Sequence, residues 1–185
     1  MFFKDDNAIV LDFLQRGHAT GKSEPLAQVI GDKYFSLLEV VVKSDTNLKQ
    51  GDKVYIGKDT REKIDHIKRR ITVNDLTTFA RSELAYIVEK IVDENEQKFV
   101  DFFNTARPVT TRMHQLELLP GIGKKHMWDI IAERKKGKFK SWEDVQERVK
   151  LLPDPKGMVI KRIMEEIENQ NERFRIFVAG PTQRY

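Results

Sequence analysis

Residues 116–131 read Leu116-Glu117-Leu118-Leu119-Pro120-Gly121-Ile122-Gly123-Lys124-Lys125-His126-Met127-Trp128-Asp129-Ile130-Ile131. The pattern predicts an apolar helix end, a tight turn, and a second helix opened by two lysines. Gly121 and Gly123 carry no Cβ, so the backbone there is free to turn sharply and to approach another backbone closely. Ile122 between them is placed to plug the angle between the two helices. The first N–H groups of the second helix have no intrahelical acceptor and sit at the positive end of its dipole. A phosphate oxygen is a natural partner at such a place, and Lys124 and Lys125 add charge at its mouth.

A second copy follows 33 residues later, where Leu118-Leu119-Pro120-Gly121-Ile122-Gly123 aligns with Leu151-Leu152-Pro153-Asp154-Pro155-Lys156. Between the copies, Ser141 and Asp144 have the spacing of a capping box at a helix start. The second copy differs where an anion would approach. Asp154 brings a carboxylate and Pro155 removes an N–H, so this copy is expected to serve as a structural partner. The two copies together resemble the paired helix-hairpin-helix arrangement. That resemblance implies a grip on the sugar–phosphate backbone without sequence readout, through Pro120, Gly121, Ile122, Gly123, Lys124 and Lys125. The adjoining basic run Arg134, Lys135, Lys136, Lys138 and Lys140 would extend the contact, with Arg112 nearby, as basic clusters do in nucleic-acid-binding proteins. His126 either approaches the phosphate or packs.

Outward from this region the period changes. Leu84, Ile87, Val88, Ile91 and Val92 recur at helical spacing, and Phe99, Phe102, Phe103 and Ala106 continue it until Pro108. Residues 73–107 therefore read as an acidic helical connector. Upstream, Ala8–Leu14, Leu26–Ile30, Tyr34–Lys43 and Lys53–Gly57 read as short strands separated by turns such as Gly31-Asp32 and Gln50-Gly51-Asp52. Lys63–Ile71 fits helix or strand, and strand is preferred. Several short strands in 1–72 predict a small closed β-barrel, OB-like or SH3-like. The fold class expected is α+β: an OB-like barrel at 1–72, the connector at 73–107, the paired helix-hairpin-helix at 108–170, and 171–185 as a plain tail or a strand returning through Arg173–Val178. An OB-type barrel binds single strands on exposed aromatics in a basic groove. Tyr34, Phe35 and Tyr55, with Lys53, Lys68, Arg69 and Arg70, are the candidate contacts, and each fits a barrel core or ordinary surface equally well.

Composition narrows the chemistry. The 185 residues hold 33 Lys and Arg against 29 Asp and Glu and no cysteine. Thiolate metal sites, iron–sulfur clusters, disulfide frameworks and Cys nucleophiles are excluded together, and the chain reads as cytoplasmic. No apolar run approaches the ~20 residues of a membrane span, so no membrane partner is expected. The net charge of +4 is uneven, with +5 falling in residues 111–185. Gly17-His18-Ala19-Thr20-Gly21-Lys22-Ser23 falls one residue short of a phosphate-binding P-loop and leads into a strand. His18, His66, His114 and His126 lack metal-ligand spacing. Glu165 and Glu166 read as solvated surface on an amphipathic helix. Asp144 stands where helix-hairpin-helix glycosylases keep a catalytic Asp, yet it fits a helix cap better, and the large helical body that would enclose a flipped base is missing. No catalytic constellation is visible.

The stretches Leu37–Val41, Val54–Lys58, Ile67–Ile71 and His114–Trp128 resemble the archaeal domain of unknown function 655 family over most of the chain. That resemblance implies nucleic-acid binding, usually of RNA, with a link to the ribosome. The expectation is a non-enzymatic, cofactor-free protein whose partner is RNA. DNA, as for a repair or recombination accessory, is the alternative, and a purely protein-binding module is a third reading.

Overall fold

Alternating and β-branched runs in the first seventy residues form a five-stranded antiparallel sheet. The strands are β1 (Asn7–Leu14), β2 (Leu26–Gly31), β3 (Leu37–Val42), β4 (Lys53–Tyr55) and β5 (Ile64–Arg70), in the order β4-β1-β2-β3-β5. The ambiguous Lys63–Ile71 segment is a strand because it pairs with β3, Val40 opposite Ile67 and Leu38 opposite Arg70. The computed structural model describes residues 4–181. Five helices follow: α1 (Thr78–Glu94), α2 (Glu96–Thr105), α3 (Lys124–Lys136), α4 (Trp142–Arg148) and α5 (Pro155–Glu168). The molecule is mixed α+β, and among the described residues no helix is long and apolar enough to cross a membrane.

The sheet is a curled half-barrel, whereas a closed barrel was expected. β4 and β5 are its two edges, and among the described residues no ladder joins them. β4 is three residues long and pairs only with Asn7–Ile9, which is too short to carry the sheet around to β5. Irregularities between Val10 and Asp12 in β1, and beside Val40 and Val42 in β3, supply the bend.

One face of the sheet buries Ala8, Val10, Ala27, Val29, Leu38, Val40, Val54 and Ile64 in an apolar core. A polar row crosses the strands instead through Asp12, Gln28, Glu39 and Arg69, register partners on β1, β2, β3 and β5. The segment Thr72–Thr77 satisfies much of this row. Gln28 donates to the Asp75 carbonyl at 2.9 Å and accepts from the Thr77 N–H at 2.8 Å, and the Thr77 hydroxyl donates to Asp12 at 2.7 Å. The buried Glu39 lies 2.7 Å from His18 Nε2 and 3.3 Å from Arg69. Burial opposes ionisation of Glu39, but the His18 and Arg69 contacts outweigh it and hold its carboxyl below the ordinary range.

Contacts group the chain into two units, one up to Val88 and again from Glu166, the other Glu89–Glu165. The divisions fall inside α1 and α5, so the segment read as a connector contributes to both units. In the first unit Arg173–Val178 is not a strand. It is fastened by Glu166, which is fully buried and accepts from the N–H groups of Ile176, Phe177 and Val178 at 2.8, 3.1 and 2.9 Å. Side-chain acceptors thus take the bonds that a strand would have given to a ladder. This corrects the expectation of a solvated Glu166. Residues 182–185 of the expected tail, like residues 1–3, lie outside the described residues.

Candidate nucleic-acid interface

The candidate residues from Arg112 to Lys140 all fall within the second unit. The segment before the Pro120 turn forms one turn of 3-10 helix, Gln115–Leu118, where the end of a longer helix was expected. Leu119 ends it in an extended conformation, as a residue preceding proline must. His114 and Glu117 close the other end. His114 Nδ1 accepts from the Leu116 N–H at 3.1 Å, and Glu117 accepts from the His114 N–H at 2.9 Å. The His114 bond requires a neutral imidazole. Burial, then the nearby Arg134 charge, pushes the His114 pKa down and favours that form.

Gly121 has φ +93°, a conformation that disfavours any side chain, and Ile122 behind it is buried. Gly123 is different. It is the N-cap of α3 with φ −96° and ψ −174°, ordinary extended backbone, and no side chain caps the helix. A Cβ built there would meet nothing within 4 Å. The fold therefore does not require glycine at 123. Nothing in the described residues accepts from the N–H groups of Gly123, Lys124, Lys125 or His126. Four donors are thus left at a helix start that no side chain caps.

The second turn is closed. α5 begins at Pro155, a first helical position where a missing N–H costs nothing. Asp154 caps it, its carboxylate accepting from the Gly157 N–H at 2.9 Å while its carbonyl accepts from Met158 at 3.0 Å. α4 is likewise closed. Ser141 accepts from the Asp144 N–H at 3.1 Å, and Glu96 accepts from the Trp142 N–H at 2.9 Å. Asp144 completes only half of the expected box, since its carboxylate accepts from the N–H of Lys140 rather than Ser141 and also meets Arg148 at 3.3 Å.

The basic residues divide by what they already touch. Lys124 reaches back to Glu117 and to the Arg112 carbonyl, both at 2.9 Å, and that ammonium holds the Glu117 carboxyl below its ordinary range. Arg134 is half-buried and donates to the Phe103 and Ala106 carbonyls at 3.1 and 2.8 Å, closing the end of α2. Arg134 thus already serves as a strut between α3 and the end of α2. Lys136 pairs with Glu133. Lys125, Lys135, Lys138 and Lys140 are exposed, and their ammonium groups have no partner among the described residues.

The sheet candidates are largely engaged within the first unit. Lys53 pairs with Asp32, Lys68 with Glu24, and Arg69 with Glu39 and Asp75. Arg70 donates to the Ala179 and Gly180 carbonyls. Phe35 is core, the Tyr55 hydroxyl donates to Asp59 at 3.1 Å, and the half-buried Tyr34 accepts from Ala179 through its carbonyl.

Four large apolar residues are exposed without having been marked so in the sequence reading: Phe79 and Tyr86 on α1, and Trp128 and Leu151 in the second unit. Trp128 on α3 is 62% exposed and Leu151 is 80% exposed. Leu151 also has φ +65°, a left-handed conformation that leucine rarely adopts. Helical spacing alone carried the signal for Trp128. It lies one residue past Met127 and two before Ile130, the buried positions of α3, and so faces away from the core.

A family model described as "Protein of unknown function (DUF655)" matches residues 4–179. An uncharacterised protein of Methanocaldococcus jannaschii is 42% identical over 175 residues, 94% of this chain and 80% of that one. The crystal structure of Af1531 from Archaeoglobus fulgidus, a member of the same family, superposes with a TM-score of 0.84 at 48% identity. It covers 95% of this chain and 100% of that one.

Proposed function

This chain belongs to the DUF655 family, and from that premise we propose that it is a non-enzymatic RNA-binding protein that clamps a phosphate backbone at the start of α3. The observation that carries this reading is the open cap. The amides of Gly123 to His126 have no acceptor among the described residues, and Gly123 leaves them unobstructed although the fold would accept a side chain there. Charged oxygens satisfy such donors well, and the unpaired Lys125, Lys135, Lys138 and Lys140 supply the surrounding positive charge.

In this reading the turns before α3 and α5 form a paired helix-hairpin-helix. The first turn grips, and the second, capped by its own Asp154, supports. The curled sheet is the OB-like part. Its candidate cations are already matched by acids or carbonyls, which supports a principal contact in the helical unit. The preference for RNA, with ribosomal RNA the expected target, rests on the resemblance of His114–Trp128 and the strand segments to the family. Asp144, engaged as a cap and with Arg148, is a structural acid in this account.

The test is binding of the purified protein to a structured ribosomal RNA fragment across a salt series. Log affinity should fall in proportion to log salt, and Lys125→Glu should flatten that slope by about one unit. Equal or tighter binding to duplex DNA of matched length would favour the genome-maintenance alternative. No binding to either would point to a protein partner.

A further inference from the structure

Trp128 sits at the centre of an exposed stripe along α3. Lys124, Lys125, Trp128, Ala132 and Lys135 are the exposed residues of this face, recurring at spacings of three and four, which places them side by side on a helix. Lys125, one turn before Trp128, and Lys135, two turns after it, pair with nothing among the described residues. Ala132, one turn on, puts no bulk beside the ring. The acids of α3 border this stripe: Asp129 and Glu133 are half-buried beside Lys125 and Ala132, and Glu133 is engaged by Lys136 and Arg148. Leaving an indole this exposed forfeits the burial that normally stabilises a tryptophan. The packing of α3 does not account for it, because Met127 and Ile130 supply the buried side.

We propose that Trp128 is a stacking platform for a nucleobase, so that the protein's partner at α3 is an unpaired RNA segment rather than a continuous duplex. This inference rests on the phosphate clamp above and names the kind of strand it holds. Trp128 follows the open amides of Gly123–His126 within about one helical turn of α3, ~5.4 Å of rise along the backbone. That is the order of the reach from a nucleotide's phosphate to its own base. A phosphate seated at Lys124 and Lys125 can therefore lay its base on Trp128 only if that base is free of a pairing partner. Stacking on an aromatic ring tolerates any base, which suits a clamp that reads no sequence, and Lys125 and Lys135 complement the negative backbone. Lys125 and Ala132 also line, with Asp129 and Glu133 of the same helix, a shallow groove whose other residues include Glu147, Arg148, Lys150 and the exposed Leu151.

The chain contains two tryptophans, and Trp142 is only 8% exposed, so a change in intrinsic fluorescence on binding reports Trp128. The experiment titrates the full-length protein with a single-stranded oligouridylate and with an RNA duplex of matched length. It is repeated with Trp128→Ala and Trp128→Phe. The expected result is quenching by the single strand and not by the duplex. Trp128→Ala should bind the single strand about five- to a hundredfold more weakly with duplex binding unchanged, and Trp128→Phe should retain most of the affinity. Salt-dependent binding without quenching, or with Trp128→Ala matching the wild type or losing both ligands equally, would overturn the platform and leave the phosphate clamp standing. Binding of neither RNA by the wild type would overturn both.

Discussion

The turns at Gly123 and Asp154 lead into helices of similar length, thirteen and fourteen residues, yet they leave the first amides in opposite states. At α5 the chain supplies its own anion. The Asp154 carboxylate binds the Gly157 N–H, and the Lys156 ammonium is held by Asp93 at 2.7 Å and Glu89 at 3.4 Å, which raises its pKa. At α3 no side chain caps the helix, and the Lys125 ammonium has no partner among the described residues. The sequence repeat aligns Asp154 with Gly121, but the helix starts align it with Gly123, because α5 begins two residues sooner within its copy. A repeated turn can thus carry its own cap in one place and none in the other, and the uncapped one is where the proposed clamp is assigned.

The largest effect should come from making the first turn imitate the second. Gly123→Asp places a carboxylate over the open amides at an N-cap whose φ any residue adopts. RNA binding should weaken by about 2 kcal/mol, roughly thirtyfold. The melting temperature should hold or rise slightly, since Asp is at least as good a cap as Gly. Thermal melts beside filter-binding titrations separate these outcomes, and a variant that loses stability in step with affinity would break the comparison.

The reverse change sharpens it. Asp154→Ala removes a cap that is in use and should cost about 1 kcal/mol, a drop of roughly 2–4 °C in melting temperature, with RNA affinity unchanged. Leu151→Gly, in the loop before α5, relieves a left-handed leucine and should stabilise the fold by up to about 1 kcal/mol, readable as an upward shift of the urea midpoint.

The smallest effect concerns pH. The folded-state pKa of His114 lies below its ordinary value, so the neutral form stabilises the turn before α3. That contribution is complete above the unfolded pKa, near 6.5, and is lost as pH falls through the lowered folded value. Melting temperature should therefore decline on acidification below about pH 6.5, and less so in His114→Asn.

Much of this was legible in the sequence for local reasons. Alternating apolar residues located the strands, Ser141 announced a cap that forms, and Pro120 with the two glycines announced the turn. What escaped depends on distant partners. Nothing in the spacing says that Glu166 will be buried under the N–H groups of residues 176–178, that Arg134 will cap α2, or that Lys124 will reach Glu117 across the turn. The open sheet was missed because closure depends on the length of β4, and a strand of three residues looks the same in sequence whether or not it meets β5. Trp128 was readable in principle from its place between Met127 and Ile130, but exposure becomes visible only once the buried side of α3 is known.

The most direct measurement is the affinity of wild-type protein and Gly123→Asp for a structured ribosomal RNA fragment, each across a salt series. The account predicts salt-dependent binding by the wild type and a loss of roughly thirtyfold in a variant that melts no lower. Unchanged affinity in a folded Gly123→Asp would contradict it.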